Sequence, residues 1–491
     1  MSQTYKPIAH LVIQRLMEAP DKAVIVTPER QMLAHELVEA TLSLAWRLKQ
    51  TSIDQNSILG LRTRYLFLAL PAILAVSLLG CRWIDCSSSL PTEENIDASL
   101  KRLGIKVTHK LEFGDLSYTW DPSMLLADPS WLKGIPASSY KKAINSSKRA
   151  HDAWMIAQSS GATGAPKYMN IGNKEIALRL IHALPFSGIE RPVSAILFPP
   201  LSLVWTLYSI ATLLKSGKIV LFSQPHHLYY LNVNFVTGSP FHFQTLLNEK
   251  NWDNEFIDTA SITGGAISQL LIEELEKRFK NIVQRYGSSE SGIIAHGSLI
   301  RGAKDSRRIG SILPGVEIQI LDINSKEPIE PGQKGIVRIR SPWSISNYID
   351  NDLQNKLFQN GWFYSGDVGW VDDEKNLNIQ GRLGDILNIL GVKIDATHLD
   401  ALICEIKGIS DAAIFIEEST SKTPRIGVAF VSDENINTSV IAERIISFLS
   451  NNLNLNDHPY AVYQLECLPR TSTGKINRAI LDKFPIKTQI F

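Results

Sequence analysis

For most of its length the chain repeats one pattern: a short run rich in valine and isoleucine, a break, then a longer apolar or amphipathic segment. Residues 23–26 and 57–61 read as strands, 32–50 as an amphipathic helix and 67–79 as a buried helix. Residues 154–158 form another strand, 173–184 a helix, and 196–214 a strand, a turn and a helix. Further strands are expected at 233–236, 261–263 and 282–285, with a helix opening at 241–247. Strands that alternate with helices pack as a parallel sheet covered on both faces. From Arg308 the texture changes: residues 316–321 and 335–340 alternate with period two about the turn Glu330-Pro331-Gly332-Gln333-Lys334. That pattern gives antiparallel strands of a smaller sheet or barrel. Residues 386–491 read as a compact α+β unit, with helices at 399–406 and 441–451 and strands at 412–417 and 426–432. The expected class is α/β: a large N-terminal domain of parallel-rich sheets with helices, a small β-barrel-like subdomain, and a smaller C-terminal α+β domain.

Composition removes several functions. With 491 residues the chain is too long for one ordinary domain. A net charge of +1 argues against a dominant basic surface for nucleic acid. Four cysteines are too few for a disulfide scaffold. Cys81 and Cys86 have no second ligand pair beside them, so buried thiols are expected rather than zinc ligands. His10 and His109 are expected to pack rather than to ligate. The first residues lack the apolar segment of a signal peptide. The apolar run 66–80 falls short of the ~20 residues that a membrane span needs and contains Pro71. The run 196–214 is broken by Pro199-Pro200 and diluted by hydroxyl residues. A cytoplasmic enzyme without an integral membrane segment is expected.

The chemistry starts at residues 159–167, Ser-Ser-Gly-Ala-Thr-Gly-Ala-Pro-Lys. Gly161 and Gly164, with Ala162 between them, let backbone N–H groups close on a ligand, and successive N–H groups make an anion-binding concavity. Ser159, Ser160 and Thr163 add hydroxyl donors, and Lys167 adds a positive charge. Tyr168 follows Lys167, so the stretch is not a Walker A loop. A flexible surface turn would have the same composition. At 286–290, Tyr286-Gly287-Ser288-Ser289-Glu290 offers a ring to stack on a base, hydroxyls for an α-phosphate and a carboxylate for magnesium. Gly264, Gly265 and Ala266 end a strand, where a flat ring can lie against the backbone or an ordinary strand-to-helix turn can form.

These blocks are followed by Ser365-Gly366-Asp367-Val368-Gly369, Gly381-Arg382-Leu383-Gly384-Asp385 and Pro469-Arg470-Thr471-Ser472-Thr473-Gly474-Lys475. In this order, over nearly the whole chain, the set resembles the adenylate-forming superfamily of acyl-CoA synthetases, nonribosomal-peptide adenylation domains and firefly luciferase. The resemblance implies an adenylation domain over residues 1–384 and a mobile domain over 385–491, turning about Asp385 and carrying the catalytic Lys475. It implies that Asp367 holds the ribose hydroxyls, that Arg382 reaches the ribose or phosphates, and that Gly265 and Ala266 line the adenine or acyl pocket. Ser289 stands where the family usually has threonine, which keeps the hydroxyl.

Two departures bear on the acid. The family's histidine after a Pro-Leu-Phe block is replaced here by Leu203, or by Ser202 in a shifted alignment. The aspartate that pairs with the ammonium in amino-acid-activating relatives is missing: no acidic residue lies between Phe198 and Leu214. A buried ammonium without a counter-charge is costly, which disfavours an α-amino acid. Trp205, Tyr208 and Phe241, with Gly264, suggest an apolar pocket for an aryl or aliphatic acid, although aromatic residues are as often plain core.

The implied reaction is ATP- and Mg2+-dependent activation of a carboxylate to an acyl-adenylate, then thioester formation with coenzyme A. A phosphopantetheine arm of a carrier protein, acting in trans, is the alternative acceptor. A luciferase-like oxygenase or a catalytically dead nucleotide-binding homologue would be a different class; Lys167, Glu290, Asp367, Arg382 and Lys475 weigh against the dead homologue.

Overall fold

The computed structural model describes residues 6–63, 65–87, 100–101, 103–112, 124–127, 129–146, 154–160, 166–183, 186, 188–299, 307–345, 347–383, 386–389, 392–417, 425–432, 437–453, 460–470, 476–481 and 488–489. Two large sheets organise most of it. The first has 14 strands among the described residues. Its middle is parallel: Ala23–Val26, Lys218–Val220, Val193–Ile196, Phe235–Gly238, Ile257–Thr263 and Phe279–Ser288 lie side by side in that order. The first four of these strands are short, three or four residues each, and Phe235–Gly238 is buried along its whole length. Continuous burial is what a parallel sheet covered on both faces demands.

The direction reverses at Gly292. Phe279–Ser288 turns back into Gly292–Ser298 as an antiparallel pair. Five strands then add in antiparallel fashion, Arg308–Ile312, Asn376–Arg382, Trp362–Val371, Gly335–Arg340 and Glu317–Leu321, of which the last two are the alternating strands foreseen after Arg308. They enclose a small apolar core of their own, with Ile294, Val337, Ile339, Phe363 and Leu377. The second sheet has seven strands, from Asn347–Tyr348 at one edge through Pro166–Ile171, Met155–Ser160, Arg82–Asp85, Ile58–Arg62 and His109–Glu112 to Met124–Leu126.

The helix Leu66–Leu79 is apolar on every side and almost wholly buried. With Ala34–Lys49 and Leu203–Leu214 it joins the largest core cluster, where Trp83 meets Trp154 edge to face at 5.9 Å. Each fully buried large apolar side chain there contributes about 1.5–3 kcal/mol. None of the described helices is long and apolar enough to cross a membrane.

The helix foreseen at 173–184 stops sooner. Asn173–Leu178 is α-helical, and Arg179–Ala183 continues as a π-helical turn. The wider turn carries Arg179, which is 1% exposed, into the interior. Beyond Ile386 a hairpin of Ile386–Ile389 and Val392–Asp395 leads to a four-stranded sheet of Ile409–Glu417, Arg425–Ser432, Tyr460–Gln464 and Thr488–Gln489. The helices Ala396–Ile403 and Thr438–Leu453 pack on it around Ile414, Val428, Phe430 and Ile445.

Candidate functional site

The motifs meet where the two large sheets adjoin. The first sheet delivers the turn that ends Phe279–Ser288, together with Asp367 and Arg382, which face each other across antiparallel strands. The second sheet delivers Ser159 and Lys167, paired across its own antiparallel strands, and Tyr348 on its edge strand.

Asp367 is 5% exposed and forms the first cluster. The Tyr286 hydroxyl donates to its Oδ2, and Arg382 Nε donates to its Oδ1 at 3.0 Å. Burial first, then the Asp367 charge, holds the Tyr286 phenol well above its usual range, so it is a firm donor at neutral pH. A carboxylate offers about four lone-pair sites. Asp367 therefore keeps acceptor capacity for further hydroxyls, and its backbone is set by Ser365 Oγ, which accepts its N–H at 3.1 Å. Gly366, at φ +75°, makes the kink that brings Asp367 inward.

Glu290 forms the second cluster. It is 7% exposed, and the Tyr348 hydroxyl donates to its Oε1. Desolvation, then the Glu290 charge, raises the Tyr348 phenol far above its ordinary value. Lys167 lies in the same field: burial lowers its pKa, the Glu290 charge opposes that, and Arg382 and Lys356 reinforce it. Ser159 Oγ is buried and has no hydrogen-bond partner among the described residues. Ser288 and Ser291 close the turn: Ser288 Oγ accepts the Ser291 N–H at 3.1 Å, and Ser291 Oγ accepts the Ser288 N–H at 3.3 Å. At Gly287 an added Cβ would lie 2.2 Å from the Gly292 carbonyl, so the turn needs glycine there.

Sequence reading missed two residues of this site. Arg179 donates to the carbonyls of Trp343, Ser289 and Glu290 at 3.1, 2.9 and 3.1 Å. Tyr348 lies 58 residues from its Glu290 partner. An arginine ending an otherwise apolar helical run, Ile176-Ala177-Leu178-Arg179, was the only local hint.

The expected acid-side residues lie further apart. Trp205 and Tyr208 are each 1% exposed within the main core, and the Tyr208 hydroxyl is 3.4 Å from Ser261 Oγ. Ser202 caps its helix by accepting the Trp205 N–H at 3.3 Å, while Leu203 is buried. Gly264, at φ +94°, and Gly265 and Ala266 stand exposed at the strand end. Phe241 lies under the Arg470 guanidinium, 4.4 Å from ring centroid to Cζ. Residues 161–164, Asp385 and Lys475 lie outside the described residues, as does the side chain of Ser160.

The chain is similar to known proteins. Residues 14–349 match the family model described as AMP-binding enzyme. The 4-coumarate–CoA ligase-like 1 of Arabidopsis thaliana is 24% identical over 349 residues, 66% of this chain and 64% of that protein, so less than two thirds of that relative is matched. The 2-succinylbenzoate–CoA ligase of Bacillus velezensis is 23% identical over 500 residues, 96% of this chain and 97% of that protein. Among solved structures, an o-succinylbenzoate CoA synthetase from Bacillus subtilis, in complex with its acyl-adenylate intermediate, superposes with a TM-score of 0.80 at 19% identity. The superposition covers 99% of each chain and shows a shared fold. With the family model spanning well over half its length, the chain belongs to the AMP-binding enzyme family.

Proposed function

We propose that the protein joins a carboxylic acid to a thiol at the expense of ATP, by way of an acyl-adenylate. The observation that carries this is the meeting of Lys167, Tyr286, Glu290, Asp367 and Arg382 at one seam, in a chain of the AMP-binding family. Relatives named as ligases of 4-coumarate and 2-succinylbenzoate with CoA support an aryl or aliphatic acid, and coenzyme A as acceptor. A carrier-protein phosphopantetheine arm ends in the same thiol and is the competing acceptor.

In the first step a carboxylate oxygen of the acid attacks the α-phosphorus, and the bond to pyrophosphate breaks. No general base is needed, because the acid is already ionised at pH 7. Tyr286 offers its ring to the base, and the spare lone pairs of Asp367 accept the ribose hydroxyls. Lys167 and the unpartnered Ser159 hydroxyl hold the outer phosphates. Glu290 fits a magnesium ion, being a buried hard-oxygen donor with only one oxygen engaged by a phenol. Held there, such an ion would supply charge neutralisation for the phosphates. Lys475 stabilises charge on the α-phosphate, and positioning of the two reactants supplies ~7–11 kcal/mol.

In the second step the thiol attacks the acyl carbon, the mixed anhydride opens and AMP leaves. Residues 385–491 turn near Asp385 between the steps, withdrawing Lys475 and presenting the segment around Gly391, a gating motion of a familiar kind.

The test is acid-dependent exchange of labelled pyrophosphate into ATP across a panel of aryl and aliphatic acids. AMP release is then measured with CoA and with a phosphopantetheinylated carrier. Exchange with at least one acid is expected. ATP binding without exchange for any acid would leave a nucleotide-binding homologue without ligase activity.

A further inference from the structure

We propose that Arg179 and Tyr348 are positioning residues that hold the Glu290 carboxylate from two sides, Arg179 through the backbone and Tyr348 through the side chain. The inference rests on the reading of Glu290 as the magnesium carboxylate.

Arg179 is 1% exposed, and among the described residues no carboxylate is bonded to its guanidinium. Its Nε and Nη2 instead gather three main-chain carbonyls, those of Trp343, Ser289 and Glu290. A buried guanidinium is costly to desolvate, and burial lowers its pKa to about 10 against the opposing charges of Glu175 and Glu290. Nη1 has no hydrogen-bond partner among the described residues. Capping carbonyls alone would not require a charge, since neutral donors do it. What a planar fork adds is direction: two consecutive carbonyls aimed at one group fix the peptide planes on both sides of Cα of Glu290.

The surroundings reinforce that plane. The Ile345 N–H donates to the same Glu290 carbonyl at 2.8 Å. Gly292, at φ +68°, lies so close that an added Cβ would be 2.6 Å from the Trp343 ring and 3.2 Å from Arg179 Nε. Trp343 is itself fixed, its Nε1–H donating to the Ile293 carbonyl at 3.0 Å. With the backbone set, the Tyr348 hydroxyl restrains the side chain by binding Oε1. Oε2 is thereby left for a cation. The two holders come from different places, Arg179 from the π-helical turn and Tyr348 from the edge of the second sheet. The carboxylate is aimed only when both sheets are docked.

The experiment is calorimetric titration of ATP into the full-length protein at rising magnesium concentration, for wild type, Arg179→Lys and Tyr348→Phe, with thermal melting of each. Groups behind a metal ligand typically change metal affinity 10–100-fold when removed. Each variant is expected to raise the magnesium concentration for half-maximal ATP binding about tenfold. ATP binding without magnesium should change less than about twofold, and magnesium saturation should recover wild-type affinity. A lowered melting temperature with unchanged magnesium dependence would mean that both residues serve packing alone and would overturn the proposal. Tyr348→Phe removes one hydroxyl and keeps the ring, so it decides the matter even where Arg179→Lys fails to fold. A wild type whose ATP binding ignores magnesium overturns the reading of Glu290 itself, and this inference with it.

Discussion

The sheet seam and the C-terminal unit hold Glu290 and two aspartates in opposite ways. At the sheet seam Glu290 accepts from a neutral phenol, and among the described residues no cation is bonded to its side chain. In the C-terminal unit the buried Asp400 and the half-buried Asp411 are each closed by an arginine. Arg470 Nη2 lies 2.6 Å from both oxygens of Asp411. Arg478 binds Asp400 Oδ2 and the Ile414 carbonyl, while Asp400 Oδ1 accepts the Ile414 N–H at 2.7 Å. The difference separates function from scaffold. Asp411 gives both oxygens to one guanidinium, and Asp400 gives its two to a guanidinium and a main-chain N–H. A carboxylate held by a phenol keeps its charge available.

The two closed pairs also frame the proposed catalytic loop. Arg470 and Ile476 form a β-bridge, and the Asn477 N–H donates to the Pro469 carbonyl at 2.8 Å. Residues 470 and 476–478 are therefore held together beside Asp411 and Asp400.

The comparison can be broken in four places. Arg478→Ala should do most damage, because it strands the buried Asp400. The expected loss is about 3–5 kcal/mol in denaturant unfolding of the C-terminal unit, with ATP binding retained. A loss below about 1 kcal/mol would show that the pair is not closed in the sense drawn here. Lys475→Ala should slow adenylate formation about 10²–10³-fold while sparing thioester formation from supplied acyl-adenylate. Equal loss in both half-reactions contradicts the assigned role.

His242 gives a pH signature that links the two regions. Burial, then the Arg470 charge, pushes its imidazole from 6.5 down to about 4. Its ring packs edge to face on Phe198 at 5.0 Å and lies 3.1 Å from Ser239 Oγ. The unfolded chain takes up this proton near pH 6.5, and the folded chain only near pH 4. Stability is thus fully present above pH 6.5 and is lost as pH falls toward 4. His242→Gln should flatten that part of the stability curve by about 3 kcal/mol, read by denaturant titration at pH 7, 5.5 and 4.5. The smallest effect belongs to Tyr348→Phe, about 1 kcal/mol or less in the same titration. A larger loss would make that hydroxyl structural, as in the C-terminal pairs.

The strand-and-helix alternation and the change of period after Arg308 were legible because apolar spacing is a local property. The 173–184 run was read as one helix because a π-turn and an α-turn share nearly the same apolar spacing. Trp205 and Tyr208 show the limit for pockets. A buried aromatic has one sequence signature, whether it lines a cavity or fills a core, and here both pack in the core.

By itself the sequence determined the alternating architecture, the order of the nucleotide motifs and the carboxylate, lysine and hydroxyl types that phosphate chemistry requires. Only the tertiary structure decided what holds Glu290. Arg179 stands 111 residues from it and Tyr348 58 residues, on elements that meet when the two sheets dock. The physical reason is that Arg179 is bound to main-chain carbonyls. Every residue carries a carbonyl, so no choice of side chain in the turn records which arginine will reach it.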